Sequence, residues 1–211
     1  MIVNIVLLII FVGCFAGLLN GGLWSNTLTL VNVITAALLA TNYFEPLAGW
    51  FDEQYSGATY LYDFIAIWLI FAISFSLFRM ATDYMSPIKV RFIPPVDKAG
   101  GILMAIWVGW VVVCFTTMTL HTAPLARNFL GFQELPDSRM LFRLAPDRKW
   151  LAWVHRESQG PYSRLSDVAP FDPRGDFILR YADRRDAYEH QLEVFTPKGG
   201  SKAGAGNLKA E

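Results

Sequence analysis

The sequence predicts an all-α integral membrane protein: four transmembrane helices followed by a small mixed or mostly helical soluble tail. Three observations carry this fold class. Four apolar stretches, Ile2–Leu19, Leu28–Ala48, Ile65–Met80 and Ile102–Leu120, each approach the ~17–25 residues a helix needs to cross the hydrocarbon core. Charge is divided unevenly: residues 1–123 hold four Lys/Arg and six acids, residues 124–211 fourteen and twelve. The loops between the stretches also differ in sign. The net charge of zero therefore describes neither half of the chain.

The first stretch has no basic segment ahead of it, since Met1-Ile2-Val3-Asn4 carries only the terminal amine. Phe11-Val12-Gly13-Cys14 resembles a lipoprotein cleavage box, but Phe fits its first position poorly, so a retained helix is expected. It ends at Leu19-Asn20-Gly21-Gly22, a turn short enough to make the first two helices a membrane hairpin. The second helix is polar for one facing lipid, with Thr27, Thr29, Asn32, Thr35, Thr41 and Asn42. An amide in hydrocarbon needs a partner, so Asn32 is expected to face another helix.

The loop from Glu45 to Asp63 holds four acids and no Lys/Arg, among Trp50, Phe51, Tyr55, Tyr60 and Tyr62, which fit an interfacial aromatic belt. Asp63 is expected to cap the third helix there. The next loop, from Arg79 to Lys98, carries Arg79, Lys89, Arg91 and Lys98 with Pro87, Pro94 and Pro95. Basic loops stay on the cytoplasmic side, so the amino terminus and the carboxyl tail are predicted to be extracytoplasmic. Asp97 is expected to cap the fourth helix, and His121 to be a lone interfacial residue at its outer end.

The tail divides into a soluble domain, 124–196, and a disordered end, 197–211, rich in Gly, Ala, Lys and Ser. A short helical run is expected over Ser138–Leu144. Pro146 opens a further helix with Trp150, Leu151, Trp153 and Val154 on one stripe and Gly160 as its stop. The tryptophans are either the tail's own core or a partner surface. Phe177–Tyr181 reads as a strand or as a helix start, which five residues cannot decide.

Two small-residue ladders recur at fourfold spacing: Gly13, Gly17 and Gly21 in the first span, and Gly101, Ala105 and Gly109 in the fourth. Each set shares one helix face where a second backbone can approach closely. They serve packing within one chain or self-association. The run Asp97-Lys98-Ala99-Gly100-Gly101-Ile102 followed by Gly109, the glycine-bearing first turn and four spans at this spacing resemble the colicin V production protein (CvpA) family over about residues 1–123. Asp97, Lys98, Gly101 and Gly109 match its motif. Ala105 replaces a usual glycine, Val108 stands where a basic residue is common, and the first turn has Asn20 and Gly21-Gly22-Leu23 in place of arginines. The resemblance implies a bacterial inner-membrane protein tied to toxin or peptide production or export and to envelope homeostasis. The tail lies outside it.

Function classes narrow accordingly. There is no phosphate loop, dinucleotide fingerprint or nucleophile elbow, and Ser163, Ser166 and His155 in the tail form no recognisable triad. Cys14 and Cys114 lack neighbours at metal-ligand spacing. No catalytic activity, cofactor, metal or nucleic-acid partner is expected. The expected partners are the lipid bilayer and either a second copy of the chain or another membrane protein, with the tail's partner unknown. The alternatives are an oligomeric channel or small-solute conduit lined by Asn20, Asn32 and the threonines, and a membrane anchor presenting the tail.

Overall fold

A computed structural model of the chain describes residues 2–55, 59–86, 90, 92–125, 132, 140–160 and 170–195. Every regular element among them is a helix: α1 (Ile2–Leu18), α2 (Leu23–Gln54), α3 (Thr59–Met85), α4 (Pro94–Thr122), α5 (Met140–Arg143), α6 (Pro146–Glu157) and α7 (Phe177–Phe195). The open alternative at Phe177–Tyr181 is thereby a helix start. Three helices are long and apolar enough to cross a membrane: α2 with 32 residues, α3 with 26 from Tyr60, and α4 with 29. At 17 residues, α1 is about 25 Å long, short of the ~30 Å hydrocarbon core.

The helices outrun the apolar stretches because their ends are polar. Pro94 and Pro95 occupy the first positions of α4, where a missing N–H removes no helical bond and φ is preset. Hydropathy alone places that start at Ile102, beyond the polar first turns. In α2 the extension reaches Gln54 through Pro46, which removes the backbone bond to the Asn42 carbonyl.

α1 and α2 do not pack as a simple hairpin. α4 packs against α1 on one side and α2 on the other, and α3 packs chiefly against α2. The order across the bundle is therefore α1, α4, α2, α3. The small face of α4 admits this arrangement: Gly101, Ala105 and Gly109 are all buried. A Cβ on Gly101 would lie 2.8 Å from the Gly21 carbonyl oxygen, and one on Gly109 3.0 Å from the Phe11 ring.

The core between α2, α3 and α4 is aromatic. Phe115 lies 4.8 Å from Phe71 and 5.5 Å from Trp68, ring centre to ring centre, within the range at which tilted pairs add to simple burial. α6 closes this core. Trp150 is buried, packs edge-on against Phe115 at 5.7 Å, and donates its indole N–H to Thr41 at 3.2 Å. The expected separate tail domain is thus, over its described residues, docked on the bundle. Trp150 serves the membrane helices' core, neither an isolated tail core nor a free partner surface. Pro146 is the first residue of α6 as expected. The short helical run expected over Ser138–Leu144 is seen as α5 in its described part. Ser138, Arg139 and the end expected to be disordered, 197–211, lie outside the described residues.

The polarity of α2 is resolved mostly on its own backbone. The hydroxyls of Thr27, Thr29, Thr35 and Thr41 donate to the carbonyls of Leu23, Ser25, Val31 and Ala37, and the Asn42 amide to that of Leu38. Such bonds to the preceding turn satisfy a polar side chain without a partner helix or water. Asn32 donates across to Thr82 of α3 at 2.9 Å, and the Thr29 and Thr41 hydroxyls also accept from Arg79 and Trp150.

Because Gly101 abuts backbone, Gly101→Val cannot be relieved by moving a side chain. Overpacking of this kind costs about 1–3 kcal/mol. Thermal unfolding in detergent should show a lowered Tm for Gly101→Val and none for Gly13→Val, whose Cβ meets nothing within 4 Å. Equal effects would mean that α4 does not pack on the first turn.

Candidate functional site

Of the residues that match the family motif, Asp97 and Gly101 meet at one end of the bundle, around the turn between α1 and α2. Gly22 is the N-cap residue of α2 and has no side chain to cap with. The cap comes from another helix: Asp97, in the first turn of α4, accepts the Leu23 backbone N–H at 2.9 Å. A Cβ on Gly22 would stand 2.7 Å from the Asp97 carboxylate, so the glycine is required for the approach. Asp97 was expected to cap its own helix. It instead lies at the positive ends of two helices, each favouring a negative charge.

Asn26 completes this junction. It is fully buried, and its amide nitrogen lies 2.9 Å from the Gly101 carbonyl, 3.0 Å from that of Leu18 and 3.3 Å from that of Gly21. One side chain thereby joins the end of α1, the turn, α2 and α4. The Leu18 carbonyl belongs to the last turn of α1, where carbonyls lack helical partners. Gly21 must also be small, because a Cβ there would fall 2.2 Å from Asn26 Oδ1. Sequence reasoning missed Asn26. Its signal was available: an amide one turn into an apolar helix that starts straight after two glycines.

The predicted site residues therefore separate. Asp97, Gly21 and Gly101 come together, and Ala105 and Gly109 continue the same packed face. Gly13 and Gly17 do not join them; both are exposed, with nothing within 4 Å of an added Cβ. Lys98 and Asn20 are exposed. Asn32 belongs to a neighbouring α2–α3 cluster in which Arg79 donates to Thr29 at 3.0 Å and pairs with Asp83 at 3.0 Å.

At the opposite end of the bundle a second polar cluster holds the tail helices. His121 was expected to stand alone, but it is buried and lies 3.0 Å from the buried carboxylate of Asp147 on α6. Asp63 was expected to cap α3. It accepts instead from Tyr181 at 2.9 Å and from Arg184, both on α7. Burial first, then the facing Asp63 carboxylate, push the Tyr181 phenol well above its usual range, so it remains an O–H donor. Arg185 donates to the Leu120 and His121 carbonyls at 2.9 and 3.0 Å, capping the negative end of α4. Arg180 reaches Glu45 of α2 at 3.4 Å. α7 thus grips α2, α3 and α4 together. Among the described residues no group of three or more His, Cys, Asp or Glu side chains is placed to hold a metal.

The family model described as colicin V production protein matches residues 3–144, and the chain belongs to that family. No curated protein and no solved structure matches the chain significantly. The match takes in α1 to α5 and stops short of α6 and α7, so the Asp97–Asn26 junction lies within it and half of the cluster at the opposite end beyond it.

Two substitutions test these clusters separately. Asn26→Leu removes the bonds to three carbonyls, and hydrogen bonds between membrane helices are worth roughly 0.6–1.7 kcal/mol each. It should lower the Tm of the whole bundle. Tyr181→Phe removes one bond to a buried carboxylate, about 1–3 kcal/mol, and should speed amide hydrogen exchange in α7 while leaving α1 unchanged. Uniform acceleration across both helices would contradict a separate attachment of α7.

Proposed function

We propose that this member of the colicin V production protein family is a non-catalytic scaffold of the bacterial inner membrane. In this reading it assembles with further copies of itself through α1 and supports toxin or peptide production or export, or envelope homeostasis. The observation that carries the reading is the unequal fate of the two small ladders. The ladder on α4 is filled by its own chain, whereas Gly13 and Gly17 on α1 remain open beside the exposed Val12 and Ile9. Small residues that leave room for a backbone suit helix association within lipid.

Absence of catalysis is supported by the chemistry at both ends. Asp97, Asn26, His121, Asp147 and Asp63 are each engaged in joining helices. The orientation is supported by charge. Arg79 and Lys98 share the end of the bundle that holds the first turn, while the Glu45–Asp63 segment and the tail helices share the other. By the positive-inside rule the amino terminus and tail then lie outside the cytoplasm.

The expected outcome is that Gly17→Leu lowers the oligomer size of the purified protein, read by light scattering, without lowering its Tm. In a background with Cys14→Ala and Cys114→Ala, Gly17→Cys should form disulfide-linked dimers in native membranes. A monomeric parent protein, or undiminished oligomers in Gly17→Leu, would refute assembly through α1.

A further inference from the structure

We propose that the projecting tip of α2, Pro46–Glu53, docks in the groove between α6 and α7 of a second copy of the chain. Asn26 and Gly101 share one level of the bundle, and Thr41 and Phe115 share another through Trp150. α2 and α4 therefore rise together at about 1.5 Å per residue. On that count α4, ending at Thr122, stops level with Leu47, and the last turns of α2, to Gln54, project past it. Pro46, Gly49, Trp50 and Glu53 are all exposed there, and their spacing puts them on one helix face. A helix that enters a groove uses the same spacing for its anchors. A Cβ on Gly49 would meet nothing within 4 Å, so no described residue of the same chain covers the face at that point.

The groove complements that face in shape and charge. It has a volume of about 680 Å³, within the roughly 300–1,000 Å³ of clefts that take a bulky group. One wall is Arg148, Leu151 and His155 on a single face of α6, and the other is Gly175, Ile178 and Leu179 at the start of α7. Arg174 stands exposed at the rim. The acid in the lining, Asp172, is committed to capping α7: its two oxygens accept the Asp176 and Phe177 backbone N–H groups. A helix that carries an indole and a carboxylate one turn apart thus meets apolar walls and a guanidinium. The Trp50 ring fits the leucine and isoleucine side chains, and Glu53 pairs with Arg174.

Height selects a second copy as the occupant. Phe177 packs on Phe44 at 6.5 Å and Arg180 reaches Glu45, so the groove beside them lies level with the residues just before Pro46. Copies in one bilayer share their orientation, and turning one about the membrane normal leaves every height unchanged. The tip of one copy is therefore presented at the groove of the next without tilting either. The carboxyl end of the chain, 197–211, has the wrong charge for the site, with three lysines and one glutamate. The contact uses a different surface from α1 and does not depend on assembly through that helix.

The test co-expresses two full-length copies with different tags in the Cys14→Ala, Cys114→Ala background. One carries Gln54→Cys and the other Leu179→Cys, both at exposed positions, and native membranes are oxidised. A disulfide-linked heterodimer is expected. Glu53→Lys on the first copy should lower its yield about tenfold, as like charges brought together at an interface do, and Arg174→Glu on the second copy should restore it. Trp50→Ala should also lower the yield, and it decides the matter if Glu53→Lys does not accumulate. Random collision in the membrane would give a band that none of these changes moves. No heterodimer, a yield indifferent to Glu53→Lys or Trp50→Ala, or no recovery with Arg174→Glu would each overturn the proposal.

Discussion

The carboxylate of Asp97 lies where the amino ends of α2 and α4 converge, and this shared anion constrains the rest of the bundle. Two helix N-termini repel each other unless a negative charge stands between them. One aspartate supplies it only if the backbone of the first turn comes within hydrogen-bonding distance of α4, and Gly21, Gly22 and Gly101 remove the side chains that would prevent this. Asn26 then fixes the spacing through backbone carbonyls on three sides. With α4 anchored there, it separates α1 from α2. The remaining face of α2 is left for α3.

The two ends of the molecule are built on different principles. The junction around Asp97 and Asn26 uses backbone groups and one amide, with glycines giving close approach. The cluster at the opposite end uses long charged side chains that reach across gaps: Arg180, Arg184 and Arg185 from a single helix engage α2, α3 and α4. Close backbone contact resists sliding, whereas arginine side chains can follow small displacements of what they hold. Between the two ends, the threonines of α2 donate to their own helix, and aromatic packing around Phe115 joins the middle of the bundle.

The membrane class was legible because hydropathy reports an average over many residues, which single polar positions hardly change. Helix ends were less legible. The polar first turn of α4 has no apolar signal, although Pro94-Pro95 marks its start. The ladders show a deeper limit: fourfold spacing assigns Gly101 and Gly17 each to a face, yet only tertiary packing determines that one face is buried and the other open. The same holds for acids near helix ends. Asp97 and Asp63 both carry a capping signature, and both serve a different helix from their own, because the nearest unsatisfied donor in space is distant in sequence. Trp150 looked like the core of a small domain; a twelve-residue amphipathic helix does not say whose core it completes.

The cap of α2 in trans also has a consequence for biosynthesis. Chains emerge amino end first, so α1, its turn and α2 are made long before Asp97. Until the fourth helix is synthesised, the first amide of α2 lacks its anion and the Asn26 amide lacks the Gly101 carbonyl. The early hairpin is thus an unfinished intermediate whose loose end is a pair of glycines, flexible enough to wait. Arrival of α4 between α1 and α2 completes both sets of bonds at once, making the last long helix the wedge that locks the first two in place.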